Sequence, residues 1–374
     1  MNLDKKIGAN DFSSQWADVE ADVLMACRLV GSSGWYILGK EVAAFEESLA
    51  HTWGLRHAVA TGNGMDALEI ALRAGGLKPG ERVLTTPLSA FASTLAILRA
   101  GGVPVFIDTD EHGLLDLARI ENYLADGNNA HWLLPVHLYG HCLDLERLRR
   151  LKQRFGLNIV EDCAQSIGAS SAGESCGTVG MAAATSFYPT KNLGAMGDGG
   201  AILTDDPDLA AACRQWRDYG QSEKYKHQLL GLNSRLDELQ AAILRQAMLP
   251  RLAQATAHRR RLADIYRSHL NSPHVQCLAE PAWSQSVYHL FPVLVSGQRE
   301  DFSRYLAEKG VHSNIHYPIL IPEQPALNDV PHEVCGQLEK ARRIATQEVS
   351  LPIHAYLNED NAKYVAELIN KWQH

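Results

Sequence analysis

One lysine in this sequence stands where an amine could act as a nucleophile. Lys191 lies in SFYPTKNLGAMGDGG, between the apolar run MAAATSFY and a loop of small residues that ends in Gly199 and Gly200. An ammonium is costly to bury, and closely spaced glycines let the backbone approach another group. A lysine held in such a place has a lowered pKa and suits Schiff-base chemistry. The alternative interpretation is an exposed lysine in a glycine-rich turn.

A second stretch with chemical potential is TGNGMDA, between a predicted strand and a predicted helix. Its spacing, Gly62-x-Gly64-x-x-Ala67, fits the loose dinucleotide-binding fingerprint. That fingerprint also needs an acidic residue at the end of the next strand, whereas RVLTT ends in threonine. Exposed N–H groups at a helix start also bind a phosphate. A phosphate cradle at Gly64 is therefore favoured, with an ordinary strand-to-helix turn as the alternative.

The third candidate is a carboxylate, Asp162, which follows the apolar run NIV within VEDCAQSIGA. A carboxylate just past a buried strand needs a cationic or hydrogen-bonding partner. A protonated pyridine nitrogen is such a partner, and an aspartate there keeps the ring positive so that it accepts electrons. A core aspartate that caps the next turn is the alternative. Together, Gly64, Asp162 and Lys191 predict a site for pyridoxal 5'-phosphate.

The elements around these residues alternate between strand and helix. After two predicted N-terminal helices, at 16–29 and 41–53, the alternation runs to Lys191 and predicts a largely parallel sheet covered on both faces. Ligands gather at the carboxyl ends of such strands. The residues that we expect at those ends are Gly62, Asn63, Gly64, Thr86, Pro87, His137, Asp162 and Lys191.

The chain length of 374 residues predicts a large domain with a smaller one. A long helical pattern starts at Leu236 and resumes after Pro250, which we interpret as the bridge between them. We therefore assign residues 1–250 to an N-terminal arm and a large cofactor-binding domain, and residues 251–374 to a small C-terminal α+β domain.

Composition excludes several classes of protein. A net charge of −8 leaves no basic excess for nucleic acid. The seven cysteines show no CxxC spacing, so neither a zinc ribbon nor a disulfide framework is indicated. No apolar run resembles a signal peptide or reaches the length of a membrane span. We expect a soluble cytoplasmic protein that binds no metal, no nucleic acid and no membrane.

The chain resembles the DegT/DnrJ/EryC1/StrS family of sugar aminotransferases over nearly its whole length. The resemblance rests on the segments GWYILGKEVAAFE, GNGMDAL, PVHLYG, VEDCAQSIGA, SFYPTKNLGAMGDGG, GLNSRLDELQAAIL and SNIHYP. It implies the α/β fold of the type I pyridoxal-phosphate-dependent transferases, which is like that of aspartate aminotransferase. In that fold a large, mostly parallel sheet domain carries a smaller C-terminal α+β domain.

The resemblance also implies roles for individual residues. Lys191 would bind the cofactor aldehyde and move the proton during transamination, while Asp162 would face the pyridine nitrogen. The other cofactor contacts implied are Gln165 at the ring hydroxyl, Phe91 stacked on the ring, and Gly64, Met65 and Ser186 at the phosphate. Asn233 matches an asparagine that reaches the phosphate of the neighbouring subunit, which implies a homodimer with shared active sites. The substrate-facing residues implied are Tyr188, His316, Tyr317, Tyr225 and Trp35.

Two further segments bear on the substrate. YGQSEKYKHQLLGLNSRL and SVYHLFPVLV most resemble enzymes that aminate the C3 keto group of dTDP-linked 6-deoxyhexoses. We therefore expect a pyridoxal-phosphate-dependent aminotransferase that moves an amino group from L-glutamate, or glutamine, to a nucleotide-linked keto sugar. The alternatives are another position of the sugar, a keto-cyclitol, a dehydratase, or a cofactor-bound regulatory protein. Family dehydratases replace the lysine with histidine, so Lys191 argues against that alternative.

Three positions depart from the family pattern. Met65 stands where the family usually has serine or threonine, which removes one hydroxyl bond to the phosphate. Glu323 lies in a stretch that commonly holds a histidine, and His141 occupies a position often held by glutamine. These changes bear on the identity of the sugar more than on the chemistry.

Overall fold

The computed structural model describes residues 6–373. Two helices open the chain, α1 (Phe12–Ser33) and α2 (Lys40–Trp53). The first begins at Asp11, whose carboxylate accepts the backbone N–H of Ser14. The second has no cap of its own, and a carboxylate distant in sequence replaces it: Glu238 accepts the N–H groups that begin α2. Both predicted N-terminal helices are therefore present.

The predicted alternation follows. Its first half comprises β1 (His57–Thr61), α3 (Gly64–Ala74), β2 (Arg82–Thr85), α4 (Phe91–Arg99), β3 (Val103–Ile107), α5 (Leu117–Ala125) and β4 (Trp132–Leu134). Its second half comprises α6 (Leu145–Phe155), β5 (Asn158–Asp162), a hairpin of β6 (Ser170–Ser171) and β7 (Glu174–Ser175), then β8 (Ala182–Ser186), β9 (Gly200–Thr204) and α7 (Pro207–Arg217).

The C-terminal part is more mixed. It begins with a two-stranded ribbon, β10 (Gln221–Glu223) and β11 (Lys226–His227), and continues into α8 (Glu238–Ile243). A π-helical turn and a 3-10 turn that contains Pro250 connect α8 to α9 (Leu252–His269). The remaining elements are β12 (Val275–Cys277), β13 (Ser284–Gln285), β14 (Phe291–Val295), α10 (Arg299–Glu308), β15 (Glu333–Cys335), α11 (Glu339–Gln347), β16 (Glu348–Leu351) and α12 (Glu359–Lys371).

Eight strands form one large sheet in the order β1-β9-β8-β5-β4-β2-β3-β15. The pairs from β8 to β15 are all parallel, whereas β9 is antiparallel to both of its neighbours. The loop 187–199 that connects β8 to β9 contains no helix, whereas the crossovers that connect parallel strands usually contain one. The parallel strands end together at one edge, as the sequence predicts.

Most of the buried apolar residues belong to two large cores. The larger core lies around the large sheet and includes α2, α3 and α6. The smaller core lies around the antiparallel sheet β12-β14-β16 and includes Tyr266 of α9 and Trp372. The chain crosses between the cores more than once, because β15 joins the edge of the large sheet and α11 packs against the larger core. The domain boundary at residue 250 stays a prediction.

Each helix between residues 6 and 373 is too short or too polar to cross a lipid bilayer.

Candidate active site

Lys191 lies in a tight loop that leaves the end of β8. The turn is closed by the Lys191 N–H, which donates to Tyr188 O at 2.8 Å, and the Ala195 N–H donates to Phe187 O at 2.7 Å. A side chain at Gly194 would not fit, since a Cβ there would lie 2.4 Å from Pro189 O. The glycine therefore allows the loop to fold back on itself directly beside the lysine.

The Lys191 ammonium has no directly bonded partner among residues 6–373. Its Nζ makes no hydrogen bond and no ion pair with any residue of the described chain. Burial lowers the pKa of Lys191 to about 8, and the negative charge of Asp162 opposes that shift. A lysine with this pKa is partly a neutral amine near pH 7.5, which is the form that attacks an aldehyde.

Asp162 ends β5, the strand beside β8, so its carboxylate faces the same edge of the sheet as Lys191. Its Oδ2 accepts the hydroxyl of Ser93 at 2.8 Å and its Oδ1 accepts the N–H of Ala164 at 3.0 Å. No basic side chain of residues 6–373 forms an ion pair with it. Two hydrogen bonds orient this buried carboxylate and leave its charge available to a cationic ligand.

The predicted phosphate cradle is formed by close backbone packing. Asn63 caps α3 by accepting the N–H of Asp66 at 2.8 Å, which leaves the N–H groups of Gly64 and Met65 at the exposed start of the helix. A Cβ at Gly64 would lie 2.6 Å from the Cβ of Ser186, and one at Gly200 would lie 2.7 Å from the Gly64 nitrogen. The structure therefore brings Gly64 and Ser186 together, and the packing explains both glycines.

Gln165 joins two parts of the site. Its Oε1 accepts the N–H of Tyr139 at 2.7 Å, and its Nε2 donates to the Tyr317 hydroxyl at 3.2 Å. The Tyr139 hydroxyl in turn donates to His316 O at 2.7 Å. Tyr139 has a φ of 62°, which is uncommon for a tyrosine, and the two hydrogen bonds hold it there. Gln165, His316 and Tyr317 thus meet in one network, while their contacts with cofactor and substrate stay predictions.

Several residues that were not predicted from the sequence complete the site. Ser93 holds Asp162, and Tyr139 holds His316. The Nδ1 atom of His289 lies 3.2 Å from Oδ1 of Asn192. Burial, together with the charge of Lys191, lowers the pKa of His289 well below its usual value. Asn192 follows the key lysine directly, which was an available signal. His289 lies in SVYHLFPVLV, but only the tertiary fold brings it close to the lysine.

Other predicted residues lie elsewhere in this single chain. Tyr188 is exposed beside Lys191, and Phe91 begins α4 half-buried against Phe106 and two neighbours. Three predicted residues are exposed and line neither cavity beside the lysine: Trp35, Tyr225 and Asn233. Tyr225 lines a cleft of about 900 Å³ that shares no lining residue with the cavities beside the lysine.

His137 does not join the site, although it follows β4. Its Nε2 lies 2.9 Å from Glu161 Oε2, and its Nδ1 accepts the N–H of Leu143 at 3.1 Å. Glu161 and Asp162 are neighbours on β5, so their side chains point to opposite faces of the sheet. The expectation that one crevice collects every strand-end residue is therefore wrong for this histidine.

The three departures from the family pattern also have structural outcomes. Met65 is half-buried and packs against the larger core. Glu323 forms an ion pair with Arg342 at the surface. Burial lowers the pKa of His141 to about 3, so that this ring stays neutral. None of the three introduces an unpaired charge beside Lys191.

Pyridoxal phosphate fits the residues present. The site offers an unpaired amine, an unpaired carboxylate and a helix start that is packed too tightly for any residue larger than glycine. Lys191 would hold the aldehyde, Asp162 the pyridine nitrogen, and the first turn of α3 with Ser186 the phosphate. Within residues 6–373 no group of three His, Cys, Asp or Glu side chains is arranged to hold a metal ion.

Comparison with known proteins agrees with this geometry. A family model described as the DegT/DnrJ/EryC1/StrS aminotransferase family matches residues 18–370. EryC1 of Saccharopolyspora erythraea, an erythromycin biosynthesis sensory transduction protein, is 41% identical over 95% of this chain and 96% of its own. A dTDP-3-amino-3,4,6-trideoxy-alpha-D-glucose transaminase of Streptomyces venezuelae is 39% identical over 97% of this chain and 95% of its own.

Solved structures give the same result. S. venezuelae DesV in complex with a ketimine intermediate superposes with a TM-score of 0.92, at 38% identity over 98% of both chains. Bacillus subtilis NtdA with bound cofactor PMP superposes with a TM-score of 0.85, at 31% identity over 94% of this chain and 81% of that one. The predicted fold is confirmed, and the chain belongs to the DegT/DnrJ/EryC1/StrS aminotransferase family.

Proposed function

We propose that this protein is a pyridoxal-phosphate-dependent aminotransferase that moves an amino group from L-glutamate, or glutamine, to a nucleotide-linked keto sugar. The substrate that we favour is a dTDP-3-keto-6-deoxyhexose, aminated at C3. One observation carries the chemistry: the buried, unpaired amine of Lys191 faces the same sheet edge as the unpaired carboxylate of Asp162. The two charges attract each other but form no ion pair, so both groups are available to a ligand and the pair favours a catalytic role over a structural one.

The cofactor, when bound, supplies an electron sink for the carbon that exchanges its amino group. Lys191 would hold it, and the freed amine of Lys191 would give and take the proton that moves during transamination. Its lowered pKa makes this amine a competent base near neutral pH. Asp162, oriented by Ser93 and Ala164, keeps the ring nitrogen protonated. The neutral His289 adds no positive charge that would repel the lysine.

The substrate class is proposed on two grounds. The transaminase of S. venezuelae is named for a dTDP-linked amino sugar, and it matches this chain over nearly its whole length. His316 and Tyr317 lie within the network that Gln165 anchors, and Tyr188 is exposed beside the lysine. These residues offer hydroxyl and imidazole groups, which form hydrogen bonds with a polyhydroxylated ligand.

We also propose a homodimer with shared active sites. Asn233, Tyr225 and Trp35 are exposed here and line no cavity beside Lys191, so in a dimer they would serve the partner's site. Large apolar side chains are exposed nearby along α1 and the segment after it, which is typical of a protein interface. They are Phe12, Trp16, Leu24, Met25, Leu29, Trp35, Tyr36 and Ile37. A cytoplasmic location agrees with the cysteines, all of which are free thiols.

The test is an absorption spectrum of the purified protein with pyridoxal phosphate, recorded before and after L-glutamate is added. We expect a yellow band that collapses to the spectrum of pyridoxamine phosphate and is absent in Lys191→Ala. Lys309→Ala, at an exposed lysine, serves as the control and should keep the band. Keto sugars that restore the band then identify the acceptor. Failure to bind the cofactor overturns the proposal, whereas binding without a response to any amino donor favours a lyase or a regulatory protein.

A further inference from the structure

Three side chains around the small antiparallel sheet form a hydrogen-bond chain that ends at His316. Glu348 and Ser350 lie two residues apart on β16 and so point to the same face. Glu348 is fully buried; its Oε2 accepts the backbone N–H of His316 at 2.6 Å, and its Oε1 accepts the hydroxyl of Ser350. The Ser350 oxygen lies 2.9 Å from His316 Nδ1. One carboxyl group therefore contacts both the backbone and, through the serine, the ring of this histidine.

The His316 ring is held on one side and free on the other. The backbone carbonyl of His316 accepts a hydrogen bond from the Tyr139 hydroxyl. Two residues earlier, the backbone of Asn314 exchanges two hydrogen bonds with that of Ser350, at 3.2 and 2.8 Å. Nε2 makes no hydrogen bond with any residue from 6 to 373 and is not sealed from solvent. His316 lines a small cavity of about 70 Å³ together with His289 and Thr190, the residue before Lys191. The free nitrogen is therefore open to a ligand.

The ring carries one proton, not two. Burial, and then the charge of Lys191, lower the pKa of His316 to about 4, so the imidazole is neutral at physiological pH. A neutral imidazole has one N–H and one bare nitrogen, and the partner of one nitrogen decides the state of the other. The partner of Nδ1 is the Ser350 hydroxyl, which has a single proton to give.

Counting protons along the chain leaves two arrangements. If Glu348 is ionised, it can only accept, so Ser350 donates to it and accepts from Nδ1–H, which leaves Nε2 as a bare acceptor. If Glu348 is protonated, the proton must sit on Oε1, because Oε2 faces the N–H of His316. Ser350 then accepts from Glu348 and donates to Nδ1, and Nε2 becomes an N–H donor. The protonation state of one buried carboxyl group sets the polarity of the free nitrogen.

We propose that Glu348 and Ser350 are positioning residues that choose which ring nitrogen of His316 carries its proton, and so whether His316 offers substrate an acceptor or a donor. This inference rests on the proposed function for the identity of the ligand. The acceptor form suits a sugar hydroxyl, and the donor form suits a carbonyl or carboxylate oxygen. An aminotransferase binds both kinds of group in turn, since an amino acid and a keto sugar use one site.

The surroundings of Glu348 make both arrangements accessible. Burial raises its pKa to about 8, while the hydrogen bonds from Ser350 and His316 and the charge of Arg299 on α10 pull it back. The other titratable groups that face it are the hydroxyls of Tyr139 and Tyr317, which are both neutral in this range because burial raises their pKa values. The change between donor and acceptor therefore falls close to neutral pH.

The experiment is ¹⁵N NMR of the histidine rings in full-length protein loaded with pyridoxal phosphate and labelled at histidine. The signal of His316 is identified by its loss in His316→Asn. In the wild-type protein we expect Nδ1 to carry the proton above pH 9 and Nε2 to carry it below pH 7. In Glu348→Gln, the amide oxygen must face the His316 N–H, so its NH₂ group faces Ser350, and Nε2–H should persist at every pH. Ser350→Ala should remove the pH dependence as well.

Glu308→Gln is the matched control, since it makes the same substitution at an exposed position on α10 and should leave the His316 signal unchanged. A His316 ring whose protonated nitrogen is the same from pH 6 to 10 in the wild-type protein overturns the inference, and this measurement needs no variant to fold. So does a Glu348→Gln spectrum that matches the wild type at high pH. Neither outcome depends on transamination, whereas a failed absorption test would reject the proposed function whatever the rings show.

Discussion

Replacing Lys191 with methionine should stabilise the cofactor-free protein at neutral pH. Burial holds the pKa of this lysine at about 8 in the folded chain, against roughly 10.4 in an unfolded one. At pH 7 the folded state therefore carries an ammonium in an unfavourable place, at a cost of at most ~3 kcal/mol, since each pKa unit corresponds to about 1.4 kcal/mol. Methionine keeps the length and the apolar stem of the side chain but has no charge to bury.

The sign of the pH dependence follows from the same two pKa values. Between pH 8 and pH 10.4 the unfolded chain still binds a proton at Lys191, whereas the folded chain has released it. Wild-type stability therefore rises across this window relative to the variant. We expect the advantage of Lys191→Met to be greatest at pH 7 and to vanish near pH 10.5.

Urea unfolding of both cofactor-free proteins at pH 7, 9 and 10.5 measures this difference directly. Lys309→Met is the control, because Lys309 is exposed and the same substitution there should change the free energy of unfolding by less than about 0.5 kcal/mol. A stability difference that is independent of pH, or a variant less stable than the wild type at pH 7, would refute the argument that burying the Lys191 charge costs free energy of folding.

Three other predictions concern the cradle, the carboxylate and the buried glutamate. Gly64→Ala should weaken cofactor binding at least tenfold in a fluorescence titration, because the new Cβ would lie 2.6 Å from the Cβ of Ser186. The control is Gly31→Ala, which has open space around the new Cβ and should bind the cofactor normally. Ser93→Ala removes a 2.8 Å bond to Asp162 and should weaken binding about tenfold, with Ser93→Thr restoring part of it. Burial raises the pKa of Glu348 to about 8, so its neutral form favours folding below pH 4.5 and that advantage is lost as pH rises to 8. The melting temperature of Glu348→Gln should therefore rise relative to the wild type between pH 5 and pH 9, and an unchanged difference would contradict this.

The sequence predicted the site best where a chemically distinctive residue directly follows a strand. Gly64, Asp162 and Lys191 each stand at the carboxyl end of a strand, and in a mostly parallel sheet those ends meet. Their order along the chain was enough to predict a common site. The reversed strand β9 changed nothing there, because it begins only after the loop that carries the lysine.

The residues that sequence reasoning missed act through the tertiary fold. Ser93 reaches Asp162 across 69 positions of the chain, and Tyr139 reaches His316 across 177. Tyr139 lies in the segment PVHLYG and Ser93 lies within α4, but neither position along the chain shows which distant residue it contacts. His137 shows the opposite error: its place after β4 was read correctly, but its ring bonds to Glu161 behind the sheet.

The network around Gln165 has a consequence for how substrates enter and leave. The Gln165 side chain and the Tyr139 hydroxyl connect segments that follow parallel strands to the loop that holds His316 and Tyr317. That loop is itself hydrogen-bonded to β16. A hinge motion that opened the gap between the two sheets would have to break these bonds at the site of chemistry. Exchange of one substrate for the next is therefore expected to proceed through a preformed entrance, with turnover limited by local side-chain rearrangement instead of by domain closure.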